Sequence, residues 1–60
     1  PDFVVDDLDA AVARALAAGA VQEGATTDAP YGRIAMFADP FGHGFCLIHF
    51  NAKGYDALLD

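Results

Sequence analysis

Basic residues are scarce in this 60-residue chain. Arg14, Arg33 and Lys53 are all there are against nine Asp and Glu, and the formal net charge is −6. Such a surface repels a phosphate backbone, so nucleic acid is excluded as a partner, and an anionic membrane surface is disfavoured for the same reason. There is one cysteine, Cys46, so no disulfide can staple the fold. A lone thiol suits a reducing compartment, and a cytoplasmic location is expected. No apolar run is long enough to span a bilayer, and no signal peptide is visible. Initiator Met is also missing; the chain opens at Pro1 in strand-like residues, as a fragment or trimmed product would.

What is present is a hydrophobic content of 55%, which places the chain among globular domains. A domain this short buries only about 60% of the surface its unfolded chain exposes. A cofactor, a partner or a second copy is the usual remedy.

Residues 2–6 (DFVVD) combine a β-branched pair with an aromatic and read as a short strand. Asp6 and Asp7 then offer an N-cap and negative charge at the positive end of a helix dipole. Leu8, Ala11, Val12, Ala15 and Leu16 follow at helical spacing in an Ala-rich filling, and Gly19 stops the helix in a left-handed C-cap. Residues 20–27 read as a weaker edge strand, 28–30 as a loop, and 31–38 (YGRIAMFA) as a strong strand. Asp39-Pro40-Phe41-Gly42 is a turn and 44–50 the last strand. Residues 53–59 suit a short helix or irregular tail, started by Asn51 or Gly54. The order is β-α-β-β-β, an α+β class, in which one helix covers one face of a four-stranded sheet.

Strand alternation divides the apolar residues into two sets. Phe3, Val5, Ala35, Phe37, Phe45 and Leu47 form one; Val4, Ile34, Met36, Cys46, Ile48 and Phe50 form the other. A sheet with one wet face shows polar residues there. Both faces here are greasy, so the face without the helix should be closed by another module or by a ligand.

The stretches FVVDDLDAAVARALAAGA and YGRIAMFADPFGHGFCLIHF resemble one βαβββ module of the vicinal oxygen chelate superfamily, which includes glyoxalase I, extradiol dioxygenases, fosfomycin-resistance enzymes and bleomycin-resistance proteins. The second stretch resembles the hairpin around a DPxG(N/H) turn that ends the second module of these proteins. The resemblance implies a curved mixed sheet over residues 1–51, with 52–60 a tail or short helix. It also implies pairing with a second module, or with an identical chain, to form a cup. In the metal enzymes a His begins the first strand of the second module, a position that would precede Pro1. A Glu sits in the last strand within an F-E-L pattern, where this chain has Phe45-Cys46-Leu47. The resemblance further implies that Cys46, Ile48, Phe50, Ile34 and Met36 face the cup, while the other set meets Leu8, Val12 and Leu16.

The expected ligand-binding residues are Asp2, Val4, Arg33, Ile34, Met36, Cys46, Ile48 and Phe50. No catalytic residue, metal ligand or cofactor is expected within the chain; a divalent metal enters only if residues beyond it supply donors. Asp2 can accept a hydrogen bond from a ligand or stand solvated at its strand end. Arg33, at the rim, can clamp an anionic group or form a rim salt bridge. Tyr31 and Phe41 can add aromatic contacts at the mouth. Apolar neighbours raise the pKa of Cys46 and make it a small buried hydrophobe rather than a nucleophile. His43 should bond the local backbone in its turn, and Asp39 should organise that turn. His49, three residues beyond Cys46, lies on the opposite side of the strand, so the two cannot share a metal. The resulting expectation is a small-molecule binder for an apolar or aromatic ligand, working without metal. The alternative is a metal-dependent lyase or dioxygenase whose ligands lie mostly outside this segment.

Overall fold

A computed structural model describes residues 1–54. The tail expected over 53–59 falls largely on 55–60, outside the described residues. Asn51 does start one helical turn over 52–54: its Oδ1 accepts from the Gly54 N–H at 3.0 Å.

Strand β1 (Asp2–Val4) leads into helix α1 (Leu8–Ala17). Asp7 is the N-cap, in extended conformation, and its Oδ1 accepts from the Ala10 N–H at 3.1 Å. The helix closes in a Schellman motif: Ala20 N–H donates to the Ala15 carbonyl and Gly19 N–H to that of Leu16, at 3.0 and 3.1 Å. Gly19 supplies the left-handed residue that this ending requires, with φ +97°. Leu8 and Ala11 are buried, with Val12 and Ala15 packed beside them.

Two short strands follow, β2 (Val21–Gln22) and β3 (Thr27–Ala29), then β4 (Gly32–Ala38) and β5 (Gly44–Phe50). The single edge strand expected over 20–27 is therefore divided, and part of the expected loop, Asp28 and Ala29, is strand. Gly24 adopts φ +79° between the two pieces, a conformation that interrupts a ladder. Beyond it Thr27, Asp28 and Ala29 pair with Ile34, Arg33 and Gly32 around the tight Pro30-Tyr31 turn. The sheet is mixed: β1 runs parallel to β5, β5 antiparallel to β4, and β2 and β3 both pair antiparallel with β4. At the far end Asn51 ties the sheet together, its N–H donating to the Tyr31 carbonyl and its side chain to that of Pro30.

The core is Leu8, Ala11, Ala35, Phe37 and Leu47, with Val5, Val12, Ala15, Ala20 and Phe45 against it. Helix α1 thus covers the face implied by the family resemblance. Two residues depart from that expectation. Leu16 is 49% exposed, because it lies about 80° round the helix from Leu8, at the margin of the buried stripe. Phe3 is 51% exposed; it points to the helix side from an outer strand and meets Phe45 edge-on at 6.2 Å. Among the described residues, no helix is long and apolar enough to cross a membrane.

Candidate functional site

Residues opposite one another across paired strands share a face. The register therefore lays out the surface that α1 leaves open. Asp2, Cys46 and Met36 form one row across β1, β5 and β4; Val4, Ile48 and Ile34 form the next. Phe50 follows on β5, opposite Gly32. Val4 and Met36 are 54% and 53% exposed, and Ile34, Cys46, Ile48 and Phe50 are half-buried. Seven of the eight expected site residues come together here. Phe50 is drawn toward the end of the sheet, where its ring lies 6.0 Å from that of Tyr31.

Arg33 stands apart from the other seven and makes rim salt bridges, one of its two expected roles. It shares the phase of Ala35 and Phe37 and projects on the helix side. There its Nε lies 3.4 Å from Asp28 and its Nη1 4.0 Å from Asp9. The cross-strand pairing of Asp28 with Arg33 accounts for the nearer contact. These contacts lie on the face opposite Met36.

Cys46 carries the chemistry of the open face. Burial pushes its thiol pKa up, and the Asp2 carboxylate adds to the rise by a hydrogen bond and by its negative charge. The apolar environment expected from alternation is thus supplemented by one carboxylate, delivered by a parallel register that local sequence does not reveal. The thiol is held protonated and weakly nucleophilic.

The two histidines have other duties. His49 places Nδ1 3.1 Å from the Val5 carbonyl and so links the last strand to the end of the first. His43 sits in the β4–β5 turn, where Asp39 Oδ1 accepts from the N–H groups of Phe41 and His43 at 2.9 and 2.8 Å. These bonds, that to the His43 N–H foremost, hold the Asp39 carboxyl below its ordinary pKa. The His43 side chain is not on backbone, as expected, but 3.3 Å from the Asp39 carboxylate. Asp39 organises the turn as its position in the DPFG sequence implies.

The sequence has known relatives. A glyoxalase-like domain family matches residues 1–48. The chain belongs to that family, within the vicinal oxygen chelate superfamily. It is also 42% identical over 55 residues to the anthracycline biosynthesis protein DnrV of Streptomyces peucetius, an alignment covering 92% of this chain and 20% of that protein. The chain therefore spans about a fifth of the length of the curated relative it matches. No solved structure matches it.

Many proteins of the superfamily hold a divalent metal, so the donors of this glyoxalase-like module bear on that question. Among the described residues, no three His, Cys, Asp or Glu side chains converge. Cys46 stands where the resemblance places the metal-binding Glu, with Asp2 beside it and its thiol biased toward the protonated form. The described residues of this chain do not by themselves assemble a set of metal ligands.

Proposed function

We propose that this glyoxalase-like module is one wall of a cup that binds a small apolar or aromatic molecule without a metal. The observation that carries this reading is the open face itself. Val4, Ile34, Met36, Cys46 and Ile48 form a contiguous apolar surface that α1 does not cover. Asp2 stands at its edge with a carboxylate able to orient a ligand's donor. Binding sites for small molecules are mostly apolar with a few placed polar groups. The second wall is another βαβββ module, either from the same longer protein or from an identical chain. The relative named for anthracycline biosynthesis directs attention to polycyclic aromatic ligands. A reducing cytoplasm would preserve the single thiol.

The test uses 1-aminoanthracene, a neutral polycyclic fluorophore, with iodoacetamide as a reporter of Cys46. Binding in the cup brightens the probe, slows alkylation of Cys46, and is lost in Met36→Lys. Sedimentation shows the chain paired when it is studied alone. A monomer whose Cys46 is alkylated at the same rate with and without saturating probe would overturn the reading.

A further inference from the structure

Register places a second carboxylate on the open face. Val21 and Gln22 lie opposite Ala38 and Phe37, and the ladder takes one further step: the Glu23 N–H donates to the Met36 carbonyl at 2.7 Å. Glu23 therefore stands opposite Met36 and shares its face, as Val21 shares that of Ala38. Gly24 follows at φ +79° and turns the chain off the ladder, so Glu23 ends that stretch of the edge.

Glu23 extends the row of Met36, Cys46 and Asp2 to the far side of the sheet. At about 4.8 Å between neighbouring strands, the row is about 14 Å long. Its middle is a thioether and a protonated thiol, and each end is a carboxylate. The two ends are not equivalent. Asp2 is engaged with Cys46 through a hydrogen bond. Glu23 is exposed, and among the described residues its carboxylate has no hydrogen bond or ion pair.

No strand residue on this side answers that charge with a cation. Apart from Asp2 and Glu23, the open-side phase of the strands is apolar, glycine or Thr27. Arg33 makes its ion pairs on the opposite face, Arg14 belongs to α1, and Lys53 follows β5. With a net charge of −6, the field over this wall attracts cations and repels anions. A flat apolar body with one positive charge complements the row along its length.

We infer that the cup takes an aromatic cation, an amine protonated at neutral pH, with its ring over Met36 and Cys46 and its ammonium on Glu23. The inference rests on the reading of the open face as a cup wall and adds the charge of the ligand. Amide NMR titrations at pH 7 compare naphthalenes that differ in one substituent: 1-naphthylmethylamine, a cation; 1-naphthalenemethanol, neutral; and 1-naphthoate, an anion. The amine moves the amides of Glu23, Met36 and Cys46. It binds about two- to fivefold more tightly than the alcohol, the effect of one exposed ion pair, and naphthoate binds more weakly than either. Added salt narrows the preference. Glu23→Gln abolishes it and leaves the affinity for the alcohol unchanged. Asp9→Asn removes the same unit of charge from α1 and keeps the preference, which separates a placed carboxylate from net charge. Equal affinity for amine and alcohol, a preference unchanged in Glu23→Gln, or one lost equally in Asp9→Asn would each overturn the inference and leave the cup standing. Binding of none of the compounds, or shifts confined to the helix side, would overturn the cup and the inference together.

Discussion

Asp2 and Cys46 stand opposite each other in the parallel β1–β5 pair, on the side of the sheet away from the helix. Burial raises the thiol pKa above its ordinary 9.0, and Asp2 raises it further. The rate of alkylation of Cys46 should therefore rise with an inflection above pH 9.0. Asp2→Asn should lower that inflection without bringing it to the free-thiol value, because burial remains. The folded chain keeps its thiol proton where the unfolded chain has lost it. Stability from this site is thus complete below pH 9.0 and declines as pH rises toward the folded-state value. An Asp2→Asn inflection matching the parent would separate the two side chains energetically.

Phe37 and Met36 are neighbours in β4 on opposite faces. Phe37 is 0% exposed and lies at the centre of the core. Phe37→Ala should cost about 3–5 kcal/mol, most or all of the stability of a domain this small. Met36→Ala should change stability by no more than about 0.5 kcal/mol while weakening 1-aminoanthracene binding. Urea unfolding of the two variants reads the first contrast, and a fluorescence titration reads the second.

Gly32 is a site of close backbone approach. A Cβ there would drive into the His49 carbonyl oxygen and lie 2.9 Å from the Phe50 Cα. Both obstacles are main chain in the central β4–β5 pairing, which cannot swing aside. Gly32→Ala should destabilise by about 3 kcal/mol or more, at or beyond the usual upper end for overpacking. Thermal unfolding checks this, and a melting temperature within a few degrees of the parent would contradict the register.

Asp39 should give the chain an acid-sensitive turn. Its carboxyl pKa is lowered below 3.8, chiefly by the His43 N–H, with desolvation opposing and the Phe41 N–H and the His43 side chain adding to the fall. A depressed folded-state pKa stabilises above the unfolded value and is lost as pH falls through the folded one. The stability of the parent should accordingly fall below pH 3.8. Asp39→Ala should lower the urea midpoint at pH 7 and flatten that acid limb, as followed by circular dichroism.

The parts of the fold carried by local signals were legible. The Asp7 cap, the buried helical stripe from Leu8 to Ala15, the Gly19 stop and the Asp39 turn each depend on residues within a few positions of one another. Leu16 shows where periodicity overreaches, since helical spacing tolerates a residue at the margin of the stripe. The division of β2 from β3 hinges on the backbone at Gly24, for which spacing carries no signal. Which face the helix covers came from family resemblance, because alternation assigns phase but not direction. Arg33 is a different case. Its alternation with Ile34 already sets it on the helix side, and phase outranks a position at the rim. The contacts from His49 to Val5 and from Asp2 to Cys46 were hidden for a shared reason: both follow from the register of strands distant in sequence.

That register also sets an order of events during folding of the module. Val5 and His49, 44 residues apart, meet only through the β1–β5 pairing. Closing that parallel ladder therefore joins distant segments and carries a large loop-closure cost. The β4–β5 hairpin, joined by a short local turn, can close first. It then presents the finished edge of β5 as the template on which β1 docks, which makes the parallel pairing the late step.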